Sequence, residues 1–344
     1  MHVGMYYNNN DVRVEEMPVP DIGRGELLIK TESCGICGTD VLEWYRLKTA
    51  PRVLGHEVTG VIVKTGKGVA DFKPGERVFV AHHVPCNECY YCSMGYHTSC
   101  ETLHKTNFYP GGFSEYIRIP EINVKFGTYL LPESVSFEQG VFIEPLGCVL
   151  RGQRLVNINT RDTVLIIGSG ISGLLHVKVS VYNQAKKVIV VDINEQRLKQ
   201  AINYGADYDV NANEDVPLML KRINENRLAD VVVLCTGAMQ AVNLALKCID
   251  KGGRILFFAT PPPDVDVTIP INEFWRNEIK IMTSYGASPD DMKSSLMLIE
   301  SRRIIVEDMI SHRLPLDEIE HGFKLVASAK DSLKVIIKPN LNNC

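Results

Sequence analysis

Cysteine, histidine and glutamate side chains are concentrated in two segments of the 344-residue sequence, each with the spacing of metal ligands. The first segment contains Cys34 and Cys37, followed by His56 and Glu57. A thiolate, an imidazole and a carboxylate together suit zinc, and three protein ligands leave a fourth position open for chemistry. The Cys34/Cys37 pair also fits a redox disulfide or a second zinc knuckle. The flanking sequence does not show the thioredoxin-like context that the redox alternative requires.

The second segment has four cysteines in a C-x2-C-x2-C-x7-C pattern, namely Cys86, Cys89, Cys92 and Cys100. Four thiolates complete a tetrahedral zinc shell without an open position, so this pattern predicts a structural zinc ion. An iron–sulfur cluster also uses four thiolates and is the less favoured alternative. The nearby histidines are interpreted as loop residues with no assigned role: His82, His83, His97 and His104.

A third motif, at 168–173, has the sequence GSGISG and fits the GxGxxG fingerprint between an apolar run and a helical stretch. Gly168 permits the tight turn, Gly170 lets the backbone approach a pyrophosphate, and Gly173 lets the helix pack on the sheet. Ile171 and Ser172 belong to the helix N-terminus, where free N–H groups and the helix dipole favour an anion. The motif therefore predicts a dinucleotide site.

Asp192 ends the next apolar run, 19 residues after Gly173. A carboxylate here is expected to bind the adenosine ribose hydroxyls and to repel a 2′-phosphate, which predicts NAD rather than NADP. Arg197 follows five residues later. It either covers the adenine face or is a solvated helix charge, and the sequence favours neither interpretation.

The elements that must position these groups follow a pattern that changes along the chain. Up to about residue 148, short apolar runs alternate with Gly- and Pro-rich turns, which indicates a mostly β unit. From 149 to 285, apolar runs alternate with helical stretches, which predicts a parallel sheet covered on both faces. The last region, 286–344, has two helices and two strands, and its pattern does not tell which unit it joins. The predicted fold class is therefore α/β with two domains.

Composition limits the function classes. The formal net charge is −4 and the basic residues are scattered, so no nucleic-acid partner is expected. The N-terminal segment lacks the basic and apolar character of a signal peptide. No uncharged apolar stretch reaches the roughly 18 residues that span a bilayer, so no membrane partner is expected. A cytoplasmic protein is the default expectation.

The run Gly55-His56-Glu57, with Gly60, Gly66 and Val69 beyond it, resembles the GHExxGx5GxxV zinc signature of the medium-chain alcohol dehydrogenase family. The other motifs occur in that family's order, so the resemblance covers essentially the whole chain. It implies a GroES-like catalytic domain over 1–148, completed by 286–344, and a Rossmann domain over 149–285. It also implies two zinc ions per chain, NAD as cofactor, and a homo-oligomer of two or four copies.

The resemblance implies roles for individual residues. Cys37, rather than Cys34, is the expected zinc thiolate, His56 is the second ligand, and Asp40 orients His56. Glu57 is a direct ligand in the sorbitol dehydrogenase branch and lies behind the ligands in other branches. Glu144, in a Glu-Pro-Leu motif, matches the acid which that branch places near the zinc, directly or through water.

The implied proton route departs from the family pattern. Thr39 matches the hydroxyl that takes the proton of the substrate. Family members commonly have a histidine five residues after the zinc cysteine, where this chain has Leu42. The histidine relay is therefore absent, and water or a polar group such as Glu43 is the alternative route.

The predicted function is hydride transfer from a secondary alcohol of a polyol, sugar alcohol or cyclitol to NAD. L-threonine 3-dehydrogenase is the alternative, because that branch shares Cys-Gly-Thr-Asp and the four-cysteine segment. Its usual acid, however, lies in Asp-Pro-Phe rather than Glu-Pro-Leu. A non-catalytic NAD-binding relative is a third hypothesis, and the complete zinc ligand set argues against it.

Overall fold

The computed structural model describes residues 1–330 and 332–341. Its strands are β1 (His2–Asn8), β2 (Asp11–Glu16), β3 (Leu27–Ile36), β4 (Arg52–Val53), β5 (Glu57–Thr65), β6 (Arg77–Ala81), β7 (Tyr116–Ile119), β8 (Thr128–Leu130), β9 (Thr163–Ile167), β10 (Lys187–Asp192), β11 (Tyr208–Asn211), β12 (Ala229–Leu234), β13 (Ile249–Phe257), β14 (Lys280–Thr283), β15 (Ile310–Pro315) and β16 (Lys334–Lys338).

The helices are α1 (Glu43–Arg46), α2 (Tyr90–Ser93), α3 (Glu101–Lys105), α4 (Glu121–Gly127), α5 (Phe137–Gly140), α6 (Ile143–Val156), α7 (Ile171–Tyr182), α8 (Glu195–Asn203), α9 (Val216–Ile223), α10 (Met239–Cys248), α11 (Ile271–Arg276), α12 (Pro289–Glu300) and α13 (Ile319–Ser328). The longest, α6, has 14 residues. Within the described ranges, no helix has the length and apolar character needed to cross a membrane.

Contacts divide the chain into two compact units, one formed by Met1–Gly147 with the residues from Ala287 onward, the other by Cys148–Gly286. The first unit contains a seven-stranded sheet in the order β15-β16-β3-β5-β6-β8, with β7 paired to β3, and a three-stranded sheet in the order β2-β1-β4. Most neighbours are antiparallel, and β15 and β16 are parallel. The unit is thus mostly β, as the apolar runs predict.

The C-terminal region joins the first unit, a point that the sequence pattern left open. Strand β16 pairs with β3, with Val335 opposite Ile36. Helix α13 places Phe323 in the core, where its ring lies 5.5 Å from Tyr6 and 5.6 Å from Phe113 between centroids. Strand pairing and aromatic packing therefore both tie the end of the chain to its beginning.

The second unit is built on a six-stranded parallel sheet in the order β11-β10-β9-β12-β13-β14. Counted from β9, this is the 3-2-1-4-5-6 order of a Rossmann fold, in which ligands bind where the strand order reverses, at the carboxyl ends of the strands. Strand β9 is buried along its whole length, as expected for a sheet covered on both faces. The predicted α/β fold class is confirmed.

Several elements of the second unit were missed by the sequence pattern. Strand β14 has four residues and is half-exposed, so it has no apolar run to reveal it. Strand β11 and helix α11 are similarly short. Long buried elements were located within a few residues: the helix predicted to reach Gln184 ends at Tyr182, with Asn183 as its C-cap.

Candidate active site

Strands β3 and β5 bring together the side chains of Cys37, His56 and Glu57. Cys37 follows the end of β3, Glu57 begins β5, and antiparallel pairing sets Gly35 opposite Glu57. The ligand atoms of the three residues all lie within 4.8 Å of one another. Zinc bonds to sulfur at about 2.3 Å and to nitrogen or oxygen at about 2.0–2.2 Å, so ligand atoms of one tetrahedral ion are this close. The three donors therefore fit a single zinc ion.

Cys34 is placed differently from Cys37. It lies inside β3 with no exposed surface, and burial raises the pKa of its thiol well above the usual value. Both cysteines are free thiols. This placement agrees with a packing role for Cys34, and it leaves Cys37 as the cysteine of the pair that lies with the other donors.

Asp40 connects the turn after β3 to His56. It lies in a 3-10 turn, Gly38–Val41, and its carboxylate accepts a hydrogen bond from Cys37 N at 3.1 Å. Its other oxygen lies 3.4 Å from His56 Nδ1 and 3.0 Å from Arg46 Nη2. Although burial opposes ionisation, His56 and Arg46 lower the pKa of Asp40. Because Nδ1 faces Asp40, Nε2 of His56 is left for a metal ion.

Glu57 has a second strong partner. Its two carboxylate oxygens lie 2.8 and 2.6 Å from Nζ of Lys334, the first residue of β16, and both side chains are fully buried. Although burial opposes a charged amine, Glu57 raises the pKa of Lys334. A Cβ atom on Gly35 would lie 2.0 Å from Glu57 Oε2, so glycine is required there. Glu57 is therefore held close to Cys37 and His56 by its contact with Lys334.

Glu144 lies in the first turn of α6, where the helix dipole favours a carboxylate. Its side chain is 8% exposed. Among the described residues, it is outside the group whose ligand atoms lie within 4.8 Å. It is nevertheless near enough to contribute to the raised pKa of Lys334. Glu144 therefore stays a predicted neighbour of the zinc, and this placement fits contact through water better than direct binding.

The Thr39 hydroxyl lies beside the metal ligands. Its Oγ1 atom lies 3.4 Å from Cys37 Sγ and 3.3 Å from Arg46 Nη2, and its main-chain oxygen accepts a hydrogen bond from Arg46 Nε. Leu42, at the position of the absent histidine, is 38% exposed. Arg46 thus fixes the turn that carries Thr39 and Asp40.

His82 and His83, which the sequence left without a role, extend from the same centre. They follow β6 directly, and the His82 ring lies 4.7 Å from the His56 ring and 3.9 Å from the His83 ring between centroids. His83 Nδ1 lies 2.9 Å from the carbonyl oxygen of Thr106. Burial lowers the pKa of His82 well below its usual value and that of His83 to about 4. Both rings are therefore neutral near pH 7.

The cysteines of the second segment, Cys86, Cys89, Cys92 and Cys100, are called the lobe cysteines below, and their side chains converge on one point. Their Sγ atoms lie within 4.8 Å of one another, with pairs at 3.6, 3.6 and 4.0 Å. Four Zn–S bonds of about 2.3 Å in tetrahedral geometry place sulfur atoms about 3.8 Å apart. Although burial opposes ionisation, the N–H groups of Cys86 and Leu103 lower the pKa of Cys100 to about 6. The group fits a closed structural zinc site.

The glycine-rich turn has the geometry of a dinucleotide site within the second unit. Gly168, after β9, has φ +94°, in the region that favours glycine. A Cβ atom on Gly173 would lie 1.9 Å from Gly168 O, so glycine is required for α7 to pack there. A Cβ atom on Gly170 would meet only Arg197 Nη1, at 3.8 Å. That face of the turn is open to a pyrophosphate, and Arg197 lies beside it. Ile171 and Ser172 begin α7 as predicted.

Asp192 ends β10 and is fixed by the same turn. One oxygen accepts hydrogen bonds from Ser169 N at 2.6 Å and Ser169 Oγ at 2.8 Å, and the other accepts one from Asn194 N at 2.9 Å. The carboxylate therefore stands beside the glycine-rich turn, where the fingerprint places the acid that reads the ribose.

Two family models match the chain. The model for the alcohol dehydrogenase GroES-like domain matches residues 23–126, and the model for zinc-binding dehydrogenases matches residues 173–301. The chain belongs to the zinc-containing medium-chain alcohol dehydrogenase family. It is accordingly an alcohol dehydrogenase with zinc and a nicotinamide cofactor, as the motifs predict.

Individual medium-chain dehydrogenases match over nearly the full length. Sorbitol dehydrogenase of Mus musculus is 29% identical over 97% of this chain and 94% of its own length. L-threonine 3-dehydrogenase of Chromobacterium violaceum is 28% identical over 95% of this chain and 96% of its own length. A zinc-binding dehydrogenase from Sinorhizobium meliloti, bound to NADP, superposes with a TM-score of 0.87 at 28% identity, over 98% of this chain and 99% of that one.

Sequence reasoning missed Arg46, Lys334 and the position of His82 in this dehydrogenase. Lys334 is 277 residues from Glu57, and the local signal is a lysine immediately before the apolar residues Val335, Ile336 and Ile337. Arg46 lies in an exposed segment without a recognisable motif. His82 was noted as a neighbour of the cysteine lobe, whereas its ring contacts the other zinc site.

Proposed function

We propose that this enzyme oxidises a secondary alcohol of a polyol, sugar alcohol or cyclitol, with transfer of a hydride to NAD. The observation that carries the proposal is the acid-rich metal centre, in which Cys37, His56 and Glu57 converge within 4.8 Å. Glu144, at the N-terminus of α6, supports it. Three donors leave an open position for a substrate hydroxyl, whereas a non-catalytic relative needs no open site.

The chain's own residues divide the work at this centre. Cys37, His56 and Glu57 would hold the zinc, and Glu144 would lie near it. When bound, zinc would supply the Lewis acidity that lowers the pKa of the substrate hydroxyl, and NAD would supply the hydride acceptor. Thr39 Oγ1, which lies 3.4 Å from Cys37 Sγ, takes the hydroxyl proton as it passes its own proton on. Since Leu42 cannot carry a proton, release from Thr39 ends in water.

The cofactor half of the proposal rests on Asp192. Its carboxylate is held beside the glycine-rich turn by Ser169 and Asn194, where a 2′-phosphate would meet a fixed negative charge. The NADP in the S. meliloti enzyme belongs to that protein. We therefore propose NAD for this chain. Gly168, Gly170 and Gly173, with the α7 N-terminus, bind the pyrophosphate, and Arg197 contacts the adenosine end.

The substrate half favours a neutral polyol over threonine. Relatives with sugar-alcohol and amino-acid names match at the same level of identity, so family membership does not choose between them. The two cations at this metal centre are already paired, Arg46 with Asp40 and Lys334 with Glu57. A substrate carboxylate would have to compete with these buried acids, whereas polyol hydroxyl groups need no countercharge.

The deciding experiment follows NADH absorbance with sorbitol, xylitol, myo-inositol, 2,3-butanediol and L-threonine, each with and without a zinc chelator. We expect chelator-sensitive NADH formation with at least one polyol and a lower kcat/KM with threonine. Preferred oxidation of threonine would contradict the substrate class. Zinc-replete protein inactive with every compound would contradict the proposed activity.

We also propose that the enzyme is a cytoplasmic homo-oligomer of two or four copies that acts on small molecules. The proposal rests on the assembly that family membership leads us to expect. Light scattering coupled to size-exclusion chromatography measures the number of copies, and a monomeric mass at micromolar concentration would contradict it.

A further inference from the structure

His82 occupies a fixed position against the metal centre. Its ring lies 4.7 Å from the ring of His56, a zinc ligand, and 3.9 Å from that of His83. Its carbonyl oxygen accepts a hydrogen bond from the buried amide of Asn123 at 2.8 Å. His83 is anchored in turn to the carbonyl of Thr106. The His82 ring is therefore held from both sides.

The hydrogen-bonding capacity of this ring is unused among the described residues. Nδ1 of His82 is buried and has no hydrogen-bond partner. A neutral imidazole has one N–H donor and one bare acceptor nitrogen. Because Nδ1 is enclosed without a partner, we assign the bare nitrogen to Nδ1 and the N–H group to Nε2. Nε2 is absent from the buried unpartnered atoms, and the side chain is partly exposed. The ring thus offers a free donor next to His56.

We propose that His82 is a specificity-determining residue whose Nε2–H donates a hydrogen bond to a second hydroxyl of the substrate, on the carbon next to the one oxidised. The preferred substrates are then vicinal diols. This inference rests on the proposed function, because it assigns the substrate class of the same site. It concerns a residue that the zinc and dinucleotide motifs do not include.

The inference follows from adjacency. The reacting hydroxyl binds at the open position beside Cys37 and His56, so the neighbouring carbon of a diol lies close to the side chains around His56. A site built to hydrogen-bond a substrate hydroxyl discriminates against the analogue that lacks it, because its polar group is then left unpaired. A ring that only filled space here would be served as well by phenylalanine, without the unpartnered nitrogen.

Two substitutions test the donor. His82→Phe keeps an aromatic ring and removes both nitrogens, whereas His82→Gln keeps an amide N–H. The matched control is His312→Phe, at a partly exposed histidine on β15. The probes are 2,3-butanediol and 2-butanol, which share a carbon skeleton and differ by the second hydroxyl. Each protein is measured for kcat and KM with NAD, for zinc content, and for the rise in Tm caused by each probe in the presence of NADH.

We expect wild type to prefer the diol. In His82→Phe, kcat/KM for the diol should fall about tenfold, the factor of one hydrogen bond, mainly through KM. Activity with 2-butanol should stay within about twofold. His82→Gln should recover most of the diol preference, and His312→Phe should match wild type. The diol-induced rise in Tm should shrink in His82→Phe only, with zinc content unchanged.

Each other outcome contradicts the inference. An unchanged ratio of diol to monool activity in His82→Phe removes the donor role while leaving the proposed polyol activity intact. Wild type that oxidises 2-butanol as well as the diol, or neither of them, excludes a vicinal-diol subsite, and the polyol panel then shows separately whether the proposed function fails. Loss of zinc in His82→Phe would make the ring part of the metal site.

Discussion

At the scale of single residues, the proposed zinc ligands His56 and Glu57 are each held by a buried acid–base pair. Asp40 is shared between His56 and Arg46, and Glu57 is bound through both oxygens to Lys334. Burying a charge is costly unless a partner compensates it, and removing one partner leaves the other exposed to the full cost. These pairs therefore fix which side of each ligand faces the metal.

The first residue-scale prediction concerns Thr39. Thr39→Val keeps the volume and removes the hydroxyl that we propose takes the substrate proton. We expect kcat/KM for alcohol oxidation to fall by roughly 10²–10⁴-fold, the usual contribution of acid–base assistance. Thr39→Ser, which keeps the hydroxyl, is the control. Steady-state kinetics with a solvent isotope effect measures both, and near-normal activity of Thr39→Val would remove Thr39 from the mechanism.

The second concerns the Glu57–Lys334 pair. Lys334→Met leaves a buried carboxylate without its cation, and we expect the free energy of unfolding to fall by about 3–5 kcal/mol. The double variant Lys334→Met/Glu57→Gln removes both charges and should recover part of that loss. Urea denaturation of the zinc-replete proteins measures the free energy of unfolding of wild type and of both variants. A single variant within about 1 kcal/mol of wild type would show that the pair is dispensable.

At the scale of elements, the strand–helix–strand segment β9–α7–β10 forms a site for an anionic ligand from its main-chain N–H groups. The buried strand β9 stops at Ile167, Gly168 turns the chain, and α7 begins at Ile171 with its free N–H groups. The close approach of Gly173 to Gly168 O sets the helix against the turn. The site thus depends on packing that leaves no space for larger side chains.

The same segment is expected to set the preference for NAD over NADP. Asp192, at the end of β10, should favour NAD over NADP, because a like-charge contact in a partly desolvated site costs several kcal/mol. The kcat/KM values for the two cofactors measure this preference. Asp192→Ser should reduce the difference in kcat/KM between NAD and NADP. Asp207→Ser, in the same unit, serves as the control. Equal values for wild type would contradict the role of Asp192.

Helix α7 also contains a buried histidine that makes stability depend on pH. His176 has no exposed surface, its Nδ1 accepts from Gln153 Nε2 at 3.2 Å, and burial lowers its pKa from 6.5 to about 3. The unfolded chain therefore binds a proton that the folded chain does not. The stabilising contribution is complete above pH 6.5 and is lost as pH falls toward about 3.

His176→Leu should consequently flatten the fall of stability with acid over this range, although it also loses the bond to Gln153. Unfolding free energies measured at several pH values test it, with His312→Leu as a control at a partly exposed histidine. If the free energy of unfolding fell equally steeply with decreasing pH in wild type and in His176→Leu, another group would be responsible for the loss of stability in acid.

At the scale of the whole molecule, the first unit contains two groups of side chains that could each hold a metal ion, and we propose different roles for them. The lobe cysteines form a saturated set between β6 and α3, whereas Cys37, His56 and Glu57 join β3 to β5 and leave a position open. A closed site contributes directly to folding, and an open site mainly activates substrate.

The corresponding prediction is two zinc ions per chain with separable effects. Cys92→Ser should lower Tm or prevent assembly. Cys37→Ser should abolish turnover while NAD binding and the fold persist. Elemental analysis, thermal melts and activity assays decide it. One zinc per wild-type chain, or full stability of Cys92→Ser together with activity of Cys37→Ser, would reverse the assignment.

By itself, the sequence determined the features whose parts are neighbours along the chain. The GxGxxG turn with Asp192, the four-cysteine spacing and the GHE run each bring ligands together through local geometry. Fold class could be predicted for the same reason, since strand and helix periodicities are read within about 5–15 residues.

Tertiary structure alone decided what long-range pairing brings together. Lys334 reaches Glu57 only because β16 pairs with β3, across 277 residues. His82 meets His56 because β6 pairs with β5, which sets Ala81 opposite Glu57. Arg46 is only six residues from Asp40, but no motif specifies the turn that brings them together. Such contacts depend on strand register and loop path, which are fixed by packing of the complete core rather than by local residue preference.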